Sequence, residues 1–127
     1  MNVDEIVEVG TYKGHTFVIK TVVFLGITRN LMRAGLLPYW HCGYVETSNR
    51  FEKYQGDYMN KVFGPIRVHG GLTWGGKLSE FGDNIPSVYG IGFDCNHIDD
   101  SPWVQDVNYV RKECLSLIDQ LIELENA

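Results

Sequence analysis

No run of about 18 or more apolar residues occurs in the chain, which excludes a membrane-spanning helix. Basic charge is missing where an export signal would carry it: Met1-Asn2-Val3-Asp4-Glu5 is acidic, so no targeting segment is expected. Cysteine is sparse. Cys42, Cys95 and Cys114 are odd in number and show no C-x-x-C spacing, so burial is expected rather than a disulfide framework. Positive charge is not in excess either. A formal net charge of −5 argues against sequence-independent binding to DNA or RNA phosphates. The spacings H-E-x-x-H, G-x-S-x-G, the Walker loop and the Rossmann fingerprint are all absent. What is present is 127 residues, 44% hydrophobic and 21% charged, the composition of one globular domain with a modest core in a cytoplasmic setting.

Residues 6–24 read as a β-hairpin. Ile6, Val7 and Val9 lead to a turn at Tyr12-Lys13-Gly14, and a β-branched, aromatic run follows from His15 to Phe24. Thr28 is placed to cap a short helix through Ala34, stopped by Gly35 and Pro38. A strand is expected over residues 41–47, and residues 48–63 are ambiguous between helix and loop. Ile66-Arg67-Val68-His69 and Val88 to Asp94 alternate as strands do. The last element is the plainest. Asp106 caps a helix whose Val107, Val110, Cys114, Leu117, Leu121 and Leu124 form one apolar stripe, with Leu115, Ile118 and Ile122 forming a second beside it. The extra width predicts either more core coverage or a homo-oligomer formed through this helix. The expected fold is α+β: a single domain with a bent antiparallel β-sheet and the C-terminal amphipathic helix packed on one face.

Three features carry candidate chemistry. Eight of the fourteen glycines lie between Gly64 and Gly92, and Arg67 and Lys77 flank His69-Gly70-Gly71, a pattern that suits a concave anion site. The segment from Arg50 to Lys77 holds five basic residues against two acids, inside an otherwise acidic chain. On a pleated strand, Gly90, Gly92 and Asp94 point one way, leaving room either for a flat ligand ring or for an aromatic side chain from a neighbouring strand. Trp74, Trp40, Tyr39 and Tyr89 are available for stacking. His41, His69 and His97 recur every 28 residues, but their flanks share no pattern and no repeat is inferred. Together with Asp94 and Asp100 they compose an alternative zinc or manganese set.

Four segments, His41-Cys42-Gly43-Tyr44-Val45, Val68-His69-Gly70-Gly71-Leu72-Thr73, Gly92-Phe93-Asp94-Cys95-Asn96-His97 with Asp100, and Asn108 to Cys114 with Leu117, Gln120 and Leu121, occur in this order. They resemble a family of small uncharacterised bacteriophage and prophage proteins with G-Y-V, V-H-G-G-[LI]-T and G-F-D-x-x-H-x-x-D motifs. Two departures stand out: residues 25–40 look like an insertion, and Asp99 stands where the pattern has glycine. No catalytic residue carries over. The resemblance, joined to the candidate site, implies a counter-defence protein in an infected bacterial cell that sequesters a nucleotide immune signal, a cyclic nucleotide or an ADP-ribose derivative. In that reading Arg67, Lys77, Gly70 and Gly71 hold phosphate, Asp94 and His97 read ribose or base edges, Trp74 or Tyr89 stacks, and His69 belongs to the same ligand-binding set; no cofactor is needed. The alternatives are a metal-dependent hydrolase of a nucleotide-like substrate, using His41, His69, Asp94, His97 and Asp100, and a protein-binding inhibitor using the second helical stripe.

Overall fold

The computed structural model describes residues 2–127, and Met1 lies outside them. Strands β1 (Asn2–Tyr12) and β2 (His15–Phe24) form the expected hairpin. Lys13 at φ 49° and Gly14 at φ 82° make the two-residue turn, a positive-φ pair whose twist suits the flanking strands. Helix α1 (Arg29–Arg33) follows. Thr28 Oγ1 accepts from the Leu31 N–H at 3.2 Å at its start, and no residue of α1 is buried. Strands β3 (Tyr39–Glu46), β4 (Trp74–Lys77) and β5 (Tyr89–Asp94) complete a five-stranded antiparallel sheet in the order β1-β2-β3-β5-β4. Helix α2 (Val107–Glu125) is capped by Asp106, whose Oδ1 accepts from the Tyr109 N–H at 2.9 Å, and it packs on β2 and β3. The domain is α+β, and no helix among the described residues is long and apolar enough to cross a membrane.

The period-two alternation of the strands divides two cores between the two faces of the sheet. Phe17, Ile19, Val45, Ile91 and Phe93 face Val110, Cys114, Leu117 and Leu121 of α2. Gly43 lies under the helix: a Cβ there would stand 2.6 Å from Cys114 Sγ and 2.7 Å from the Phe93 ring. Only a residue without a side chain lets the helix seat at that depth. On the other face Val18, Val22, Cys42 and Tyr44 are covered by Leu78 and Ile85 from the connection between β4 and β5.

The second helical stripe adds to the core: Ile118 is fully buried, and Leu115 and Ile122, half-buried, pack on the same cluster. Two expectations are corrected. The alternating segment 66–69 is not a strand. Its backbone is held by side chains of α2 instead: Gln120 accepts from the Arg67 N–H at 2.7 Å and donates to the Arg67 carbonyl at 2.6 Å, and Glu113 accepts from the His69 N–H at 2.8 Å. An extended segment thus satisfies its polar groups without a neighbouring strand. Conversely, Trp74-Gly75-Gly76-Lys77, in the glycine-rich stretch where no strand was expected, is β4; its glycines admit the backbone of Gly56, which lies directly against Gly75 and Gly76. The ambiguous residues 48–63 form two short 3₁₀ helices, Asn49–Tyr54 and Lys61–Phe63, which carry Phe51 and Phe63 into the core.

Replacing Gly43 by Ala is expected to destabilise the fold by about 1–3 kcal/mol, the usual cost of overpacking a filled core. Urea denaturation measures it, and an unchanged midpoint would show that α2 tolerates a higher seat.

Candidate functional site

The bare strand face of β5 is filled from within the protein. A Cβ on Gly92 would collide with the Tyr44 ring, and one on Gly90 would stand 2.6 Å from Leu78 Cδ2. The neighbouring strand's aromatic therefore occupies the space over Gly92, and no ligand ring lies flat on these glycines. The opening lies one step further along the sheet. A groove of about 520 Å³ runs over the face opposite α2, with Lys20, Trp40, Cys42, Tyr44, Trp74 and Asp94 on its walls and floor and Thr73, Asn96 and His97 at its rim.

Strand register explains its shape. Cys42 pairs with Lys20 of β2 on one side and with Asp94 of β5 on the other. The three side chains share a face, so a small buried thiol forms the floor while an ammonium and a carboxylate stand on opposite walls. Trp40 closes one end of this box, two residues along β3. Tyr44 closes the other, supported edge-on by Trp74 at 5.0 Å between ring centroids and by the tilted ring of Phe81 at 4.2 Å. Lys20 Nζ lies 5.5 Å from the Tyr44 ring centroid and 5.2 Å from that of Phe81, and bonds to Asp4 at 3.0 Å. Burial pushes the Cys42 thiol up to about 11, so it is neutral and serves as a floor rather than a nucleophile.

Asp94 is the most organised polar group of the groove. Its Oδ2 accepts from the Thr73 hydroxyl at 3.0 Å and its Oδ1 from the Asn96 N–H at 3.1 Å. His97 approaches the same Oδ1 at 3.3 Å and the Asp94 carbonyl at 3.1 Å, both through Nε2. Both partners only accept, so the proton sits on Nε2 and Nδ1 is the ring's acceptor. The His97 ring rests on Gly70, whose φ of +68° and lack of a Cβ both permit the contact.

His69 stands behind this rim as a brace. Its Nε2 donates to Asp100 at 2.8 Å, and its Nδ1 accepts from the Tyr109 hydroxyl at 2.8 Å. With both ring nitrogens engaged it has none to offer a ligand. Asp100 also accepts from the His97 N–H at 2.9 Å, which closes the turn 97–100 together with the Asp100 N–H to His97 carbonyl bond at 3.0 Å. Asp99 is the third residue of that turn and sits at φ 71°, a region that favours glycine.

Other expected site residues are dispersed. The Arg67 guanidinium donates to the carbonyls of Gly64 and Ile66. Lys77 pairs with Tyr89 at the opposite end of β4 from Trp74, with its Nζ 5.3 Å from the Tyr89 ring centroid. The Gly71 N–H donates to the Val68 carbonyl at 2.9 Å, so that amide of the Gly70-Gly71 turn is already engaged. His41 is buried on the α2 side of the sheet, sharing a hydrogen bond of 2.8 Å with Thr21, and does not join His69 and His97. Among the described residues no group of three or more His, Cys, Asp and Glu side chains is placed to hold a metal ion, so the five-residue zinc or manganese set is not assembled. Of the nine expected ligand-binding residues, Trp74, Asp94 and His97 line the groove. Sequence reasoning missed Lys20 and Tyr44. The signal was there: Trp40, Cys42 and Tyr44 stand at alternate positions of β3, which puts two aromatics on one face.

Two measurements check this geometry. Asp99→Gly removes the left-handed strain and is expected to raise Tm by roughly 2–5 °C; a fall would mean that the Asp99 side chain contributes more than its backbone costs. Burial lowers the His41 pKa from its ordinary 6.5. The unfolded chain then binds the proton first, so stability present above pH 6.5 is lost as pH falls below it. His41→Gln is expected to flatten the slope of stability against pH between about 5 and 6.5 in urea titrations, and an unchanged slope would assign that pH dependence to other groups.

No protein-family model matches the chain, and neither a curated protein nor a solved structure matches it.

Proposed function

We propose that this protein binds a small nucleotide in the groove over Cys42 and holds it without converting it. The observation that carries the reading is the box itself: aromatic walls at both ends, with Lys20 and an oriented Asp94 on opposite sides of a neutral floor. Flat apolar surfaces with a few convergent polar groups are what a base and its sugar require. Lys20, which pairs with Asp4 at 3.0 Å, exchanges that partner for the ligand phosphate in the role expected of Arg67 and Lys77, Trp40 and Trp74 offer stacking surfaces, and Asp94 reads donors on the ligand. Binding is favoured over turnover because the Cys42 thiol that forms the floor is held neutral and supplies no activated nucleophile. The resemblance to bacteriophage proteins supports a role in counter-defence, in which the ligand is a cyclic nucleotide or ADP-ribose-type immune signal and the protein sequesters it in an infected bacterial cell.

Calorimetric titration with cyclic mononucleotides, cyclic dinucleotides and ADP-ribose tests the reading, with each ligand recovered afterwards and its mass measured. Saturable binding of at least one of them, its recovery intact, and loss of binding in Asp94→Ala with Tm within a few degrees are expected. Absence of binding across the panel overturns the reading, and recovery of a cleaved ligand replaces it with an enzyme.

A further inference from the structure

The chemistry of Asp94 narrows the ligand beyond a nucleotide in general. Resting on the groove reading above, we infer that the groove selects guanine, whose N1–H and N2–H₂ donate side by side to the two oxygens of the Asp94 carboxylate. Thr73 and the Asn96 N–H fix the carboxylate plane, one on each oxygen, while the side chain stays 31% exposed. Each oxygen retains acceptor capacity, and a carboxylate offers no donor. A planar base that meets both oxygens must therefore present two adjacent N–H donors. Guanine does. Adenine and cytosine each put an acceptor nitrogen beside their single amino group, and uracil flanks its one N–H with carbonyls; each would set a lone pair against the carboxylate.

Charge places the rest of the ligand. Asp94 carries the negative charge of its wall, against which a phosphate would be repelled. Lys20 lies on the opposite wall, with Cys42 between them in the strand register; it pairs with Asp4, which also lines the groove, so a phosphate there takes the place of Asp4 on the ammonium. Two inter-strand spacings separate the two positions, roughly 10 Å, which leaves the sugar over the thiol and the phosphate toward the ammonium. Discrimination then comes from an unpaired acceptor as much as from a made bond, because a base that cannot donate leaves the carboxylate desolvated and unsatisfied.

A competing use of two adjacent acceptors is the diol of a ribose, which every ribonucleotide carries. Titration of the wild-type protein with GMP, AMP, CMP, UMP and 2′-deoxy-GMP separates the two. GMP is expected to bind at least about ten-fold more tightly than the other three bases, with 2′-deoxy-GMP binding as GMP does. Asp94→Asn exchanges one acceptor for a donor, and it is expected to lose the preference for GMP and to gain one for xanthosine monophosphate, whose C2 carbonyl accepts where guanine donates. Equal binding of the four ribonucleotides with weaker binding of 2′-deoxy-GMP overturns the guanine assignment and leaves the nucleotide groove standing. No binding of any of them overturns the guanine assignment, and the groove reading falls with it only if the cyclic nucleotides and ADP-ribose above also fail to bind. Should Asp94→Asn fail to fold, the wild-type ranking alone decides.

Discussion

The closeness of α2 to the sheet at Gly43 governs the rest of the molecule. With no side chain between Cys114 and the strand, the helix sits deep enough for both of its apolar stripes to be used, one on the sheet and one beneath residues 51–72. The same seat brings Glu113 and Gln120 within reach of the extended segment 66–69, whose backbone they hold. That segment delivers His69 to Asp100 and Gly70 to the underside of His97. The rim of the groove is therefore set by a contact on the far side of the sheet. This is an ordinary property of densely packed interiors, in which the position of one element fixes that of the next.

The two faces of the sheet divide the work. The helix face carries most of the buried apolar area, whereas the opposite face is covered only in part. There the connection between β4 and β5 supplies Leu78, Phe81 and Ile85 over one end, and the remaining stretch between Trp40 and Tyr44 is left open. An antiparallel sheet tolerates such a half-covered face. The charged groups at this opening are few, and most are answered locally: Lys20 by Asp4, Asp94 by Thr73, Asn96 and His97.

Much of the fold was legible in the residues because its signals are local. The hairpin turn at Lys13-Gly14, the Thr28 cap, the alternation of β5 and the stripe of α2 each follow from short-range geometry, and all four elements stand where they were expected. Segment 66–69 misled because extended backbone looks the same whether its partner is a strand or the side chains of Glu113 and Gln120. β4 was hidden for the opposite reason: its two glycines signal a turn in isolation, and the need for them comes from Gly56, eighteen positions before Trp74. The site was half legible. Asp94, Trp74 and His97 announce themselves as unusual residues among glycines. Lys20 and Tyr44 are ordinary strand residues, and they become groove walls only through the register that sets them beside Cys42 and Gly92.

The two ends of the described chain are tied to each other. Glu8 of β1 holds Arg111 of α2 with Oε2 to Nε at 2.8 Å, and Lys13 reaches Asp119 at 2.8 Å, pairs separated by more than a hundred positions. A ribosome releases β1 well before α2, so the hairpin emerges long before the helix that braces it exists. The hairpin and β3 must wait with their apolar face uncovered until α2 arrives, and such long-range contacts are the kind that slow folding. The rim of the groove, which depends on the seat of α2 over Gly43, is accordingly set only after that helix has emerged.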